Sequence, residues 1–123
     1  MKIVALKLNK EFKRLYYKGR FKGHALLVTY LMKNNRGINR VGITTGKKVG
    51  NAVQRSRARR VIRAAWAEVS SSVPAGYDLV FVAREKTPKV KSQEVARVMK
   101  YQLQALLNSG GKRKSSEKKQ EKQ

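Results

Sequence analysis

The sequence contains no cysteine, which excludes a disulfide framework and a zinc site built from thiolates. Its single histidine, His24, cannot form a Cys-His pair or a cluster of histidine metal ligands, and we expect it to be an exposed loop residue or a nucleic-acid contact. The longest apolar stretches, residues 25–32 and 78–83, fall far below the roughly 20 residues of a membrane helix. These absences predict a cytoplasmic protein without a membrane span.

Acidic residues are also scarce, with 7 Asp and Glu against 30 Lys and Arg. A nuclease that binds its own Mg²⁺ needs several converging carboxylates, and the acids outside the C-terminal tail are scattered: Glu11, Glu68, Asp78, Glu85 and Glu94. Residues 42–48 resemble a phosphate-binding loop only superficially, because the glycine spacing is one residue short and no Ser or Thr follows the lysine. We therefore expect no catalytic residues, no bound metal and no cofactor of the chain's own.

The net charge of +23 is not confined to one end of the chain. Residues 109–123 hold six Lys or Arg and two Glu but no aliphatic or aromatic side chain, which predicts a disordered lysine-rich tail. Residues 1–108 have the length of one compact domain and are themselves strongly basic. Such a field attracts polyanions, and nucleic acid is the expected partner.

Hydrophobic periodicity and turn signals predict a single α+β domain with the element order α, β, β, α, β, α. The predicted elements are a helix at 9–18 capped by Asn9, a hairpin of strands at 25–32 and 40–45, a helix at 51–70 capped by Asn51, a strand at 77–83 and a helix at 92–108. A further short strand is possible near residues 3–8. The segment 40–83 can form a βαβ unit, which would lay the helix at 51–70 across the sheet.

That helix carries an unusual density of arginine. An apolar stripe recurs at helical spacing, through Ala58, Val61, Ile62, Ala65, Trp66 and Val69. Opposite this stripe lie Ser56, Arg59, Arg60 and Arg63. Lys47, Lys48, Arg55 and Arg57 add charge at the start of the helix, and its only acid is Glu68, so ion pairs along the helix cannot neutralise the face. Because an arginine fork can hold phosphate oxygens or stack on a base, the pattern indicates an anion-binding helix suited to nucleic acid.

Aromatic residues form a second candidate site. Phe12, Tyr16 and Tyr17 fall on the first helix and Tyr30 on the first long strand, among many cations. Aromatic faces beside cations suit the stacking of unpaired bases. The helical spacing of Phe12 and Tyr16 is equally consistent with core packing, and Tyr30 could lie on either face of its strand.

At residues 40–66, RVGITTGKKVGNAVQRSRARRVIRAAW, the sequence closely resembles the signature region of the protein subunit of bacterial ribonuclease P. The resemblance extends more weakly over about 8–107, from NKEFKRLYYKG to YDLVFVAR. It implies an α-β-β-β-α-β-α sandwich around a central sheet, with the arginine-rich helix in a left-handed βαβ crossover. It also implies that the chain is a subunit of a cytoplasmic ribonucleoprotein, an endonuclease that removes the 5′ leader from precursor tRNA by hydrolysis.

In that family the catalyst is the RNA subunit with its Mg²⁺ ions. The resemblance implies one small protein per RNA subunit, which binds the single-stranded leader and lowers the Mg²⁺ requirement in tRNA processing. It assigns contacts with the catalytic RNA to Lys47, Lys48, Arg55, Ser56, Arg57, Arg59, Arg60 and Arg63. It assigns the cleft that binds the leader to Phe12, Tyr16 and Tyr30.

Position 56 departs from the family pattern, because Ser56 stands where the family usually has Asn. A hydroxyl is shorter than an amide and lacks its paired donor and acceptor, so a specific hydrogen bond made by that Asn is not expected here. General RNA binding depends on the charges, which are unchanged. The alternative function is a structural RNA-binding protein, such as a ribosomal protein, which would associate with ribosomal particles and leave tRNA maturation unaffected.

Overall fold

The computed structural model describes residues 3–109, which form three helices and a four-stranded mixed sheet. The order along the chain is α1 (Asn9–Lys18), β1 (Arg20–Lys22), β2 (Leu27–Lys33), β3 (Arg40–Thr44), α2 (Ala52–Val69), β4 (Tyr77–Ala83) and α3 (Ser92–Asn108). Short 3₁₀ turns lie at Lys47–Val49, Ser70–Ser72 and Thr87–Lys89. The α-β-β-β-α-β-α order of a single α+β domain is confirmed. The predicted tail, apart from Ser109, lies outside the described residues.

The strands lie in the order β1-β2-β4-β3. β2 pairs antiparallel with both β1 and β4, whereas β3 pairs parallel with β4. The predicted βαβ unit is thereby confirmed, since β3 leads through α2 into the parallel strand β4. The left-handed sense of this crossover stays a prediction.

The predicted hairpin of β2 and β3 is wrong, because β4 lies between these two strands. β4 is apolar along most of its length, and its burial is greatest when a strand covers each of its edges. The connection after β2 contains Asn35 and Gly37, both with positive φ, and it carries the chain past the position that β4 later occupies. Two extended segments separated by a turn-rich loop look like a hairpin until a later strand is considered.

The predicted bounds of α1 and α3 are confirmed, and those of α2 are correct to within one residue at each end, but the predicted cap of α1 is wrong. Asn9 is the first helical residue and not the cap; Leu8 occupies the cap position. The Glu11 carboxylate instead accepts from the Leu8 backbone N–H at 3.2 Å, which satisfies one of the free N–H groups at the start of the helix. Near residues 3–8 there is only an isolated bridge between Ala5 and Val41, so the possible extra strand is not formed.

The sheet carries helices on both faces. α2 and α3 cover one face and enclose the main core, in which the Trp66 and Phe81 rings lie 5.6 Å apart. α1 covers part of the other face through a smaller cluster around Leu15 and Val80. Within residues 3–109, no helix combines the length and apolar character needed to cross a membrane.

Candidate RNA interface

The cationic side chains of α2 and its approach are exposed. Lys47 and Lys48 lie exposed on the 3₁₀ turn directly before the helix. Ser56, Arg57, Arg59, Arg60 and Arg63 are exposed on α2, and Arg55 is half-buried. The predicted apolar stripe is buried, apart from Val61, which is half-buried. The division of α2 into an apolar face and a cationic face is confirmed.

The start of α2 is fixed by a reciprocal cap. The Asn51 side chain accepts from the Gln54 N–H at 2.9 Å, and the Gln54 side chain accepts from the Asn51 N–H at 3.2 Å. Gly50 precedes the cap with φ of 142°, where a side chain would be strained and would overlap Gln54. This rigid start holds the two exposed lysines next to the arginine helix.

The cationic face of α2 divides into two flanks, a feature that the sequence alone did not indicate. On one flank, Arg59 donates to the Thr45 hydroxyl at 2.8 Å and faces α1. On the other, the Arg57 Nε donates to the Pro88 carbonyl at 2.6 Å, on the turn that leads to α3. The arginines of one helix therefore serve two different surfaces.

The aromatic groove lies between α1 and the end of β3. Its volume is about 450 Å³, and its lining residues are Asn9, Phe12, Lys13, Tyr16, Ile43, Thr44, Thr45 and Arg59. Two of the predicted leader-binding aromatics, Phe12 and Tyr16, line it directly. Lys13 on one wall and Arg59 on the other give the groove a cation on each side. The structure thus brings an arginine of α2 together with the aromatic residues of α1.

Tyr30 lies beside the groove and not in its lining. Its ring stands edge-on to that of Tyr16 at 5.0 Å and stacks against that of Phe21 at 5.1 Å. The Tyr16 hydroxyl lies 2.9 Å from the Thr44 hydroxyl, so Tyr16 is held from two directions. Phe12, Tyr16 and Tyr30 are all half-buried and pack on the smaller core cluster. The core interpretation is confirmed for Phe12 and Tyr16, which also line the groove. Their role in stacking unpaired bases stays a prediction.

Gly42 lets the Phe12 ring lie directly on β3. A side chain at this position would begin 2.6 Å from that ring, closer than two carbon atoms can approach. A residue larger than glycine would therefore displace Phe12 from the groove wall. The alternation of β3 accounts for this placement, because it turns Gly42 and Thr44 toward α1. Val41 and Ile43 pack in the main core on the side of α2, and Ile43 also contributes to the groove lining.

Arg40 joins α1 to the sheet. Its guanidinium donates to both oxygens of Asp78 at 2.9 and 2.8 Å, and to the Glu11 carboxylate at 2.8 Å. Asp78 is only 4% exposed. Because Glu11 lies in the first turn of α1, this network fixes the helix that carries Phe12 and Tyr16 relative to β3 and β4. The acids that looked scattered in the sequence thus include two that converge on a guanidinium.

These contacts shift the pKa values of all three groups. Burial alone would raise the pKa of Asp78, but hydrogen bonds from Arg40 and Asn34 outweigh it and leave that pKa below its usual range. The hydrogen bond from the Leu8 N–H, aided by Arg40, lowers the pKa of Glu11. The hydrogen bond to Asp78 is the main reason that the pKa of Arg40 lies above its already high usual value. The network is therefore fully charged at neutral pH.

We expect the free energy of unfolding to fall as the pH drops below about 4. A carboxylate whose folded pKa is lowered stabilises the protein above its unfolded pKa, near 4, and that stability is lost as the pH falls through the folded value. Asp78→Asn should lower the stability at pH 7 by about 2 kcal/mol and flatten the acid dependence, because it removes charged hydrogen bonds to Arg40. Urea unfolding across pH measures both effects. Glu85→Gln, at an exposed position, is the matched control; equal behaviour of the two variants would contradict this role of the network.

Among residues 3–109, no three side chains of His, Asp or Glu come close enough to hold a metal ion. His24 is exposed, and its Nδ1 accepts from the Leu26 N–H at 3.0 Å. The expectation that the chain binds no metal of its own stays a prediction.

Sequence reasoning missed several groove residues. Asn9, Thr44 and Thr45 lack the charge or aromaticity that draws attention, and they reach the groove only because α1 crosses the end of β3. The alternation of side chains along β3 could have predicted the position of Thr44, because it places Thr44 on the same face of the strand as Arg40. No pattern in the sequence separates Arg59 from the other arginines of α2.

The sequence is similar to those of known proteins. A family model described as Ribonuclease P matches residues 2–107. The "Ribonuclease P protein component" of Clostridium novyi is 42% identical over 92 residues, covering 73% of this chain and 81% of that protein. The protein of the same name from Thermoanaerobacter sp. is 40% identical over 85 residues, covering 69% and 73%.

Solved structures show the same architecture. The RNase P protein of Staphylococcus aureus superposes with a TM-score of 0.72 at 28% identity, covering 85% of this chain and 95% of that one. The RNase P protein from Thermotoga maritima superposes with a TM-score of 0.69 at 24% identity, covering 83% and 94%, and at this identity the likeness concerns the fold alone.

Proposed function

This chain belongs to the ribonuclease P protein family, and from that membership we propose that it is the RNA-binding protein subunit of a ribonuclease P holoenzyme. In this proposal it binds the catalytic RNA and the single-stranded 5′ leader of precursor tRNA, and it promotes endonucleolytic removal of the leader at low Mg²⁺. One protein acts with each RNA subunit. The observation that carries the proposal is the aromatic groove with an arginine of α2 on its wall.

Binding of the catalytic RNA rests on the exposed charges of α2 and its approach. The proposed contacts are Lys47, Lys48, Arg55, Ser56, Arg57, Arg59, Arg60 and Arg63. Arginine holds phosphate oxygens with two parallel hydrogen bonds, and the exposed face of α2 offers several such forks side by side. Release of counterions from the RNA backbone supplies much of the affinity and makes it depend on salt.

Binding of the leader rests on the aromatic groove. A leader is single-stranded, so its bases are free to stack on the exposed faces of Phe12 and Tyr16. Lys13 and Arg59 lie at the same groove and can hold the adjoining phosphates. Tyr30 supports the Tyr16 ring from behind. Mature tRNA has no leader, so this groove gives the holoenzyme a preference for precursor tRNA.

In this proposal the protein contributes binding and not chemistry. Mg²⁺ would be held by the RNA subunit, where it would activate the attacking water and stabilise the leaving oxygen. The cations of this chain help the RNA bind substrate when Mg²⁺ is scarce, because they neutralise phosphate charge that metal ions would otherwise screen. No side chain of this protein is assigned a catalytic role.

Ser56 lies exposed on the cationic face, between the two flanks of α2. Since its hydroxyl can donate one hydrogen bond and accept others, it is assigned an ordinary polar contact with RNA and not the paired donor and acceptor of an amide. The affinity of this chain for the catalytic RNA then depends on its charges.

A competition experiment tests this proposal against the ribosomal alternative by measuring how the protein distributes between ribonuclease P RNA and ribosomal particles. The full chain, at limiting concentration, is mixed with equal amounts of a bacterial ribonuclease P RNA and of ribosomal particles at near-physiological salt, and sedimentation separates the two. We expect most of the protein with the ribonuclease P RNA. Predominant recovery with the ribosomal particles would instead support a structural ribosomal protein. High salt weakens both complexes and cannot discriminate between them.

A further inference from the structure

A second groove lies on the other flank of α2. It has a volume of about 310 Å³ between α2 and the start of α3, and its lining residues are Arg57, Arg60, Val61, Ala64, Val90, Lys91, Ser92 and Gln93. We call it the α2–α3 groove. Arg57 and Arg60 reach it from α2, whereas Lys91 reaches it from the segment directly before α3. Three cations from two separate elements therefore converge on one concavity.

The charge of the α2–α3 groove is not neutralised by its own walls. No acid is found among the described residues that line it, and Glu68 and Glu94, the acids of the two helices, lie outside the lining. Arg60 and Lys91 are exposed, so their charged ends reach solvent at the groove mouth. A concavity with three cations and no counter-charge attracts an anion.

Arg57 is held in position before any ligand arrives. Its Nε donates to the carbonyl of Pro88, a buried residue, at 2.6 Å. Within residues 3–109, the two terminal nitrogens of this guanidinium have no protein hydrogen-bond partner, so they remain available to a ligand. Fixing a long side chain in advance reduces the entropy that binding would otherwise cost.

The two grooves lie on opposite flanks of one helix. At 100° per residue, Arg57 and Arg60 lie about 160° and 100° around α2 from Arg59, which lines the aromatic groove. The aromatic groove offers two rings, whereas no aromatic residue is found among the described residues that line the α2–α3 groove. The α2–α3 groove therefore favours a backbone phosphate over an unpaired base.

We propose that the α2–α3 groove binds a backbone phosphate of the catalytic RNA through Arg57, Arg60 and Lys91. This inference rests on the proposed function and deepens it, because Lys91 lies outside the arginine-rich segment and the site lies apart from the aromatic groove proposed for the leader. The three cationic side chains form the site. The Ser92 hydroxyl and the Gln93 side chain supply neutral donors at its edge.

The test compares Lys91→Gln with Lys100→Gln, in which an exposed lysine of α3 outside the groove is changed. Both variants lose one positive charge. Filter binding to a bacterial ribonuclease P RNA across salt concentrations gives the affinity and its salt slope, and urea unfolding checks that both variants fold. We expect Lys91→Gln to bind roughly threefold to tenfold more weakly with a salt slope lower by about 1, and Lys100→Gln to bind nearly like the original chain.

A second measurement separates this site from the leader site. The assembled complex with Lys91→Gln, at saturating protein, should keep the full preference for precursor over mature tRNA. Equal affinities of Lys91→Gln and Lys100→Gln for the catalytic RNA would overturn the α2–α3 groove proposal, as would a lost preference for precursor tRNA. If the original chain itself failed to bind the catalytic RNA, the proposed function would fail first, which is a different outcome.

Discussion

Replacing Phe12 and Tyr16 together by alanine is expected to reduce the preference of the holoenzyme for precursor over mature tRNA by about 100-fold. Stacking of one base on an aromatic ring contributes about 1 to 3 kcal/mol, and both rings line the same groove. Affinity for the catalytic RNA should stay within about twofold, since neither residue lies on α2. Equilibrium binding of the two tRNA forms to the assembled complex measures the ratio.

The half-buried packing of these rings calls for controls. Phe12→Leu and Tyr16→Leu keep apolar volume in the smaller core cluster but remove the stacking face, so they should retain stability and still lose the preference. Tyr101→Ala removes an aromatic residue that is 68% exposed on α3 and should leave the ratio unchanged. Equal weakening of the catalytic RNA and of precursor tRNA in the Phe12 and Tyr16 variants would contradict the leader site.

Changing Arg59, Arg60 and Arg63 together to glutamine is expected to weaken binding of the catalytic RNA by about 100- to 1000-fold. Each lost phosphate contact lowers the salt slope by about 0.7 to 0.9, so the slope should fall by about 2 to 3. The free energy of unfolding should stay the same or rise slightly, because all three residues are exposed and the change removes repulsion between like charges. Filter binding across salt concentrations, with urea unfolding, tests both parts.

The matched control removes the same charge elsewhere. Lys86, Arg97 and Lys100 are exposed cations outside α2, and changing all three to glutamine alters the net charge equally. We expect this control to lose far less affinity, because position on the helix matters more than total charge. If both triple variants weakened binding alike, the basic face of α2 would act only through the overall field of the protein.

The helices were predictable from sequence because their signals are local. A stripe at helical spacing, the Asn51–Gln54 cap and the breaker after residue 69 defined α2 to within one residue at each end. The same locality explains the false cap at Asn9, since the Glu11 carboxylate takes over the role through a contact that depends on geometry. The periodicity of a helix predicts which of its faces is buried. It does not predict which group accepts a hydrogen bond from each free backbone N–H at the start of the helix.

The sheet order was not predictable in the same way. The pairing of β4 between β2 and β3 joins segments far apart in sequence, and no turn signal records it. β1 is three residues long, which is too short for alternation to stand out. The family resemblance implied three strands before α2, whereas periodicity had predicted only two.

Only part of the candidate site could be predicted from the sequence. Residue chemistry alone identified the cationic face of α2 and the aromatics of α1, but their meeting at Arg59 and Thr45 required the fold. The α2–α3 groove required it as well, because Lys91 comes near Arg57 and Arg60 only after α3 packs on α2. Charge composition therefore predicted the kind of partner, whereas the fold determines which cationic side chains line each groove.

Cleavage at low Mg²⁺ tests the central claim most directly. Precursor tRNA and a bacterial ribonuclease P RNA are incubated at a Mg²⁺ concentration where the RNA alone is nearly inactive, with and without this protein, and release of the 5′ leader is followed in time. We predict rapid release only when the protein is present. Absence of stimulation, under conditions where the protein demonstrably binds the RNA, would contradict its role as the subunit that promotes leader removal.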